Sequence, residues 1–241
     1  MGLVDIHCHL LWDVDDGCAG PEDALEAARA LVDLGYSDAA PSPHARAEFP
    51  SVDGALCRSR LAELRELLAG EGVDLRLHAN AENHLDEDFL SRLSRGEHRG
   101  IGETGRHVLV ELPFSAAVPA LPEVVFRAKL KGISPIFAHP ERCAEFERPG
   151  RAAEVVRLGA ALQLDLGSLV GRYGREARRL AERLLAEDLY AVAATDVHGP
   201  VGIRRWVAEA LAALEGRVGA AGARRLCSEN PRRAVAGEEL A

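Results

Sequence analysis

The sequence predicts an α/β fold in which seven strand–helix units close into a barrel or near-barrel. Three observations carry this. Strand-like runs begin near residues 2, 37, 73, 107, 133, 161 and 189, and helical patterns lie between them. Alternation of this kind implies parallel strands joined by right-handed crossovers. The 241 residues are 47% hydrophobic and 28% charged, with no linker, low-complexity tract or repeat. That suits one domain, residues 1–241, of a length common among α/β barrels. An open doubly wound sheet is the alternative. No Gly-x-Gly-x-x-Gly follows the first strand, which counts against its dinucleotide-binding form.

The elements follow in order. The first strand ends in His7-Cys8-His9, and a loop carrying Asp13-Val14-Asp15-Asp16-Gly17 comes next. Pro21 to Leu34 predicts a helix: Pro21 suits the first turn, Leu25, Ala28, Leu31 and Val32 form a stripe, and Gly35 is a stop. A short strand at Ser37–Ala40 leads into Pro41-Ser42-Pro43-His44. A helix over about Val52–Ala69 carries Leu56, Leu61, Leu64, Leu67 and Leu68. Val73–Ala79 alternates apolar with polar residues, a strand running into Asn80-Ala81-Glu82. Asp86–Leu93 is a short helix, and His107–Leu112 is a strand carrying Glu111. Leu121–Lys131 is helical, and Ile133–Ala138 is a strand running into His139-Pro140-Glu141-Arg142. Arg151–Leu158 is helical, Ala161–Leu166 a strand, Arg175–Ala186 helical. Leu189–Ala194 is the last strand, running into Thr195-Asp196-Val197-His198. Two helical segments, near Ile203–Arg217 and Ala220–Cys227, close the chain.

Composition excludes some classes. The net charge is −9 and the pI about 5.5, which argues against nucleic acid as the partner. The five cysteines are odd in number and form no Cys-x-x-Cys, as expected of reduced thiols in a cytosol. No stretch has the length of a membrane span or the layout of a signal peptide. A soluble cytoplasmic protein without membrane insertion is expected.

The polar residues then fall into one pattern. In an extended strand residues i and i+2 share a face, so His7 and His9 aim at one point and Cys8 away from it. An isolated His-x-His is more often two ordinary polar residues. Here, however, His44 follows the second strand, Glu82 the third, Glu111 ends the fourth, His139 follows the fifth, and Asp196 and His198 end the seventh. The Asp196–His198 spacing again puts two groups on one face. All lie at the carboxyl ends of their strands, which in a barrel form the mouth where active sites are built. With Asp16 the candidates number nine: five histidines, two aspartates, two glutamates. A single catalytic zinc takes about three protein ligands, so nine suggest two or three metals. Nitrogen and oxygen donors without thiolate suit Mn²⁺, Fe or Zn²⁺. Such cations lower the pKa of a shared water and hold phosphoryl oxygens.

Other residues read more plainly. His78, His98 and His107 suit surface or structural roles, and His84, two residues past Glu82, is an open candidate. Asp13 and Asp15 read as turn residues, since Asp bonds its own backbone there. Trp12 and Phe114 read as core packing, although both flank the mouth. Gln163 and Asp165 suit groups that orient ligands. Arg175, Arg178, Arg179 and Arg183 read as a solvated helix face. The chain has no Cys-x5-Arg loop of a cysteine phosphatase. Cys227 has Arg233 six residues on, but Pro231 intervenes and no glycine-rich cradle is present.

Asp-Ile-His-Cys-His, Asp-Val-Asp-Asp-Gly, Pro-His44, Glu82, Val-Glu-Leu-Pro-Phe, Ala-His-Pro-Glu-Arg and Thr-Asp-Val-His together resemble the motifs of the PHP (polymerase and histidinol phosphatase) superfamily. The Asp-Asp-Gly block, Glu-Leu-Pro-Phe, His-Pro-Glu-Arg and Glu-Asn-Pro-Arg-Arg resemble in particular the bacterial manganese-dependent protein-tyrosine phosphatases of capsule and exopolysaccharide loci, the CpsB/CapC type. The resemblance runs from residue 3 to about 235. It implies a distorted seven-stranded (β/α)7 TIM-like barrel, the PHP fold, with two to three divalent metals, Mn²⁺ foremost. It implies one metal on His7, His9, Glu82 and Asp196, a second on Glu82, Glu111 and His139, and a third on Asp16, His44 and His198. It also implies that Arg142 and an arginine after Asp-Val-His, Arg204 or else Arg205, grip the phosphate. Three positions depart from the family pattern: Ala-Asn-Ala-Glu-Asn around Glu82, Cys143 after Glu-Arg, and Arg204 one residue further from His198.

The expected activity is that of a phosphoric monoester hydrolase, with attack of a metal-activated hydroxide on phosphorus. The resemblance names the substrate: a phosphotyrosine-bearing protein, a bacterial tyrosine kinase of polysaccharide export. Two alternatives stand beside it. One is a phosphatase for histidinol phosphate or another small phosphoester, and the other a non-catalytic regulatory protein that keeps the fold.

Overall fold

The structure, a computed structural model, describes residues 2–50 and 53–241. In chain order its elements are β1 (Leu3–Cys8), α1 (Pro21–Asp33), β2 (Tyr36–Pro41), β3 (His44–Ala45), α2 (Gly54–Gly70), β4 (Arg76–Leu77), β5 (Glu82–His84), α3 (Phe89–Arg95), β6 (His107–Glu111), α4 (Leu121–Leu130), β7 (Ser134–Ala138), α5 (Ala144–Glu147), α6 (Arg151–Arg157), β8 (Ala161–Asp165), α7 (Leu166–Leu169), α8 (Gly174–Ala186), β9 (Val192–Ala194), α9 (Ile203–Arg224) and α10 (Asn230–Ala236). Every expected strand position carries a strand, and every strand pair is parallel among the described residues. Val52, where the sequence pattern began the second helix, lies outside the described residues. Asp53 caps that helix by accepting from Ala55 N–H.

The strands form two sheets, not the one closed seven-stranded sheet expected. One has the order β1-β2-β4, the other β3-β5-β6-β7-β8-β9. The cause lies in the second and third strand positions, each of which breaks in two. β2 stops at Pro41 because Pro43 has no N–H to donate and its φ is fixed. Ser42 fills the gap: its N–H donates to Cys8 O at 2.8 Å, and its Oγ accepts from Cys8 N–H at 3.1 Å. In the break between β4 and β5, Asn80 Nδ2 donates to Ile6 O at 2.8 Å. On the other flank of β1 an isolated parallel bridge pairs Cys8 with Val197.

Alternation along the strands divides the core. Val108 and Val110 of β6 join a large cluster with the helix residues Leu31, Leu64, Val125 and Leu184. Leu109 belongs to a smaller one with Ile6, Ala40, Ile136, Ala138, Val192 and Ala194. Glu111 has the parity of Leu109 and so faces away from the helices. At the C-terminus the two expected helices lie on either side of a break within α9 at Gly219 (φ 72°, ψ 169°), a conformation glycine adopts without strain. A π-helical turn, Arg225–Glu229, then leads into α10, which the sequence pattern missed. No described helix is long and apolar enough to cross a membrane.

Candidate metal centre

The carboxyl ends of the strands bring all nine candidate residues together. β1 delivers His7 from its last turn of strand and His9 from just beyond it. Their Nε2 atoms face each other at 3.3 Å, while Cys8 is buried in the large apolar cluster. Both imidazoles also face Asp196 Oδ1, at 3.2 and 3.3 Å. Glu82 opens β5 and reaches four histidines: Oε1 lies 2.9 Å from His139 Nε2 and 3.4 Å from His7 Nε2, and Oε2 lies 2.7 Å from His44 Nδ1 and 3.7 Å from His9 Nε2. Asp16 Oδ1 stands 3.4 Å from His44 Nε2 and 3.5 Å from His198 Nε2.

Four overlapping groups have all their ligand-type atoms within 4.8 Å of one another: His9 with Asp16, His44 and His198; His7 with Glu82 and His139; His7 with His9 and Asp196; His44 with Glu82 and Glu111. These groupings cut across the sets implied by the resemblance. Glu111 sides with His44, not with His139, and His9 also joins the Asp16 group. Asp196, whose φ of 53° is left-handed, keeps the partners His7 and His9 that the resemblance implied. The strand has ended at Ala194, yet Asp196 and His198 converge as expected, with Asp196 Oδ1 3.6 Å from His198 Nδ1. Asp196 turns to His7 and His9, whereas His198 stacks on His9 with ring centroids 3.9 Å apart.

The donor set fits divalent cations. Two buried imidazoles that aim nitrogens at each other and at one carboxylate oxygen make a poor hydrogen-bond arrangement and a good ligand arrangement. The electrostatics agree. Burial disfavours charge here, yet the Glu82 and Asp196 carboxylates hold His7 well above the ordinary histidine range. His9 is pushed up to about 10, with the Asp15 and Asp196 carboxylates outweighing burial. Burial likewise opposes ionisation of Glu82 and Asp196, and the histidines around them keep both carboxyls well below their usual range. The site is built to hold positive charge.

A second tier fixes these groups. Gln163 Oε1 lies 2.9 Å from His7 Nδ1 and so presents Nε2 to the cluster. Asp165 pairs with Arg142 Nη1 at 3.3 Å. Arg142 Nη1 also meets Asp196 Oδ2 at 2.6 Å, and its guanidinium lies over the Phe114 and Tyr173 rings, 4.9 and 4.1 Å from their centroids. Glu141, buried, anchors the turn between them. It accepts from Tyr190 Oη at 2.8 Å, Ser168 Oγ at 2.9 Å and Asp165 N–H at 2.8 Å.

A family model described as capsular polysaccharide synthesis, CpsB/CapC, matches residues 3–236. The chain belongs to the CpsB/CapC family. It is 30% identical over 218 residues to the tyrosine-protein phosphatase YwqE of Bacillus subtilis, covering 90% of this chain and 85% of that protein. It is 23% identical over 239 residues to the tyrosine-protein phosphatase CpsB of Streptococcus pneumoniae, covering 97% and 98%. A solved structure from work on those two proteins, described as unique metal-dependent tyrosine phosphatases, superposes with a TM-score of 0.87 at 28% identity. It covers 99% of this chain and 96% of that one.

Within this CpsB/CapC chain several functional-site residues were not evident from sequence. Asp15 does take a turn role, accepting from Gly17 N–H at 3.0 Å. Its Oδ2 also lies 2.7 Å from His9 Nδ1 and accepts from His44 N–H at 3.0 Å. Asp5, buried and pushed up to about 6 by burial, ties β1 to the β9 loop through Thr195 Oγ1 at 2.5 Å. Arg46, two residues after His44, pairs with Glu111 and reaches His84 Nδ1 at 3.3 Å. His84 Nδ1 in turn lies 3.2 Å from Glu111 Oε2, so His84 does border the site. Of the two mouth aromatics, Trp12 is core, whereas Phe114 is 42% exposed and lines a 750 Å³ cavity beside Arg142. Arg179 and Arg183 border the same cavity and are exposed, as a solvated helix face requires.

Arg204 and Arg205, the expected second phosphate arginines, are held by other partners. The Arg204 guanidinium is engaged by α1, with Nη1 2.6 Å from Glu26 and Nε 2.7 Å from Asp33. Arg205 pairs along its own helix with Glu209 at 3.1 Å. Both side chains are drawn to carboxylates outside the cluster.

Proposed function

We propose that this chain is a metal-dependent phosphomonoesterase that hydrolyses phosphotyrosine on a protein, by way of the nine-residue cluster. One observation carries the reading: nine histidine, aspartate and glutamate side chains from six strand positions meet in overlapping groups, with Arg142 on their border. YwqE and CpsB, to which the chain is similar, are tyrosine-protein phosphatases by name. Cysteine chemistry has no support, because all five cysteines are buried and burial raises the thiols of all five.

The proposed ligands are His7, His9, Asp16, His44, Glu82, Glu111, His139, Asp196 and His198, for two to three divalent ions with Mn²⁺ foremost. When bound, such ions supply Lewis acidity, making a water acidic at neutral pH and offsetting charge on phosphoryl oxygens. The chain's own residues do the rest. Gln163 and Asp15 hold His7 and His9 in the orientation that points Nε2 inward. Arg142 spends Nη1 on Asp165 and Asp196, which leaves the other arm of its fork for a phosphoryl oxygen. Phe114 and Tyr173 clamp that guanidinium and shield it from water. The phenolate of tyrosine leaves readily, so a strong general acid is not required.

Three finer points belong to the same proposal. The two sheets act as one distorted seven-unit barrel, a reading supported by the Cys8–Val197 bridge. The substrate is a bacterial tyrosine kinase of polysaccharide export, and the compartment is the cytoplasm. The test is phosphotyrosyl-peptide hydrolysis by the purified chain with Mn²⁺, alongside elemental analysis. Turnover that His7→Ala with His9→Ala abolishes is expected, with at least two metals per chain. Preference for histidinol phosphate would move the reading to the small-molecule alternative, and unchanged turnover in the double variant would refute the metal mechanism.

A further inference from the structure

The turn between β8 and α8 carries a cation that the scheme above does not use. Arg172 follows α7, with its N–H donating to Gly167 O at 3.1 Å. Gly167 leaves room for this turn: a Cβ there would come within 3.0 Å of both Arg172 Cδ and Tyr173 Cε2. The Arg172 guanidinium lies over the ring of Trp206, 4.5 Å from the centroid. Trp206 is buried in α9, so the stack fixes the plane of an otherwise mobile side chain.

Its charge is uncompensated. Among the described residues no carboxylate lies within 4.0 Å of the Arg172 guanidinium. By contrast Arg142 pairs with Asp165 and Asp196, Arg204 with Glu26 and Asp33, and Arg205 with Glu209. Arg172 also has the right place. With Arg142, Tyr173, Trp206, Asp196 and His198 it lines one cavity of 400 Å³, within the span of about 300–1,000 Å³ usual for small-ligand pockets. A phosphoryl dianion in that cavity meets the Asp196 carboxylate and a half-neutralised Arg142, so a second free guanidinium is what its charge calls for.

We propose that Arg172, held on Trp206, is the second arginine that binds the substrate's phosphoryl group, in the role expected of Arg204. This rests on the phosphatase reading above. Arg172 is exposed, so its replacement spares the fold, which circular dichroism checks.

The experiment compares the full chain, loaded with Mn²⁺, as wild type, Arg172→Ala, Arg172→Lys and Arg204→Ala. p-Nitrophenyl phosphate is the substrate, because it has no flanking residues, and inorganic phosphate is the competitive inhibitor. Arg172→Ala raises both KM and the phosphate inhibition constant about tenfold, the scale of a lost charge-assisted bidentate contact. Arg172→Lys restores part of this, and Arg204→Ala shifts both constants less than Arg172→Ala does. Inorganic phosphate also changes the tryptophan emission of the wild type through the Arg172–Trp206 stack, and not that of Arg172→Ala. KM and inhibition constants within twofold of wild type in Arg172→Ala would overturn the proposal. So would an effect confined to peptides with acidic flanks, which assigns Arg172 to a neighbouring carboxylate. A wild type that binds phosphate by emission but turns nothing over sinks the phosphatase reading while the emission of Arg172→Ala still decides the phosphate contact.

Discussion

Asp15→Asn probes the support beneath the cluster with almost no change of shape. Asp15 has three acceptor contacts: Oδ2 with His9 Nδ1 at 2.7 Å and His44 N–H at 3.0 Å, and Oδ1 with Gly17 N–H at 3.0 Å. Burial works against its ionisation, but the His9 hydrogen bond and charge keep the carboxyl below the usual range. Asparagine offers one oxygen where aspartate offers two. If that oxygen stays on Gly17, an NH₂ group faces two donors, and His9 loses the partner that fixes its tautomer. Outer partners of this kind are worth about 10–100-fold in metal affinity, or about 1.4–2.8 kcal/mol. The upper half of that range is expected, since hydrogen bonds to a charged group are worth about 1.5–3 kcal/mol each and two are at risk. The measurement is Mn²⁺ affinity by competition with a fluorescent chelator, with circular dichroism to confirm the fold. An Asp15→Asn protein that binds Mn²⁺ within threefold of wild type, at the same stoichiometry, refutes the claim that Asp15 orients His9.

Gly17→Ala places a Cβ against His9 O and His9 Cβ; a loss of roughly tenfold in Mn²⁺ affinity is expected, and an unchanged affinity would show that the loop yields freely. Mn²⁺ at a hundredfold excess over its dissociation constant stabilises the fold by about 2.7 kcal/mol, a rise of about 5–10 °C in Tm at this chain length; a chelated protein whose Tm ignores added Mn²⁺ contradicts a cluster that exists only when folded. His107 is buried with Nε2 2.7 Å from Glu238 O, and burial, aided by Arg106 and Lys129, lowers its pKa below the ordinary 6.5. The unfolded chain therefore takes up the proton first, so this part of the stability is complete above about pH 6.5 and is lost as pH falls towards the folded pKa. Urea midpoints at pH 7.5 and 5 should drop less in His107→Gln than in wild type, and equal drops would refute the assignment.

What the sequence reveals here depends on the physics behind each residue. Strand ends were readable because histidines and carboxylates sit where apolar runs stop, and that pattern survives irregular strands. Its finer geometry was not. His7 and His9 share a face as expected and Asp196 and His198 converge too, but the positive φ that turns the chain at Asp196 is announced by no residue type. Pro43 did announce the break after β2, yet the sequence pattern was read as one strand position. Asp15 was hidden by the commonness of aspartate in turns. Arg46 and Arg172 have no motif, because an arginine's target is set by folding and not by spacing. Arg204 shows the converse, for a motif position says nothing of the Glu26 and Asp33 carboxylates that engage it.

The tie between Asp5 and Thr195 spans 190 residues of sequence, and it sits beside the meeting of His7 and His9 with Asp196. The two histidines are made long before their carboxylate partner. Bringing such distant ends together costs about 4–5 kcal/mol of chain entropy beyond the constant term, and contacts this non-local slow folding. During synthesis the first strand therefore waits, with its cation-binding groups incomplete, until Asp196 has left the ribosome. A product truncated before β9 therefore lacks both the second flank of β1 and the residue on which His7 and His9 converge.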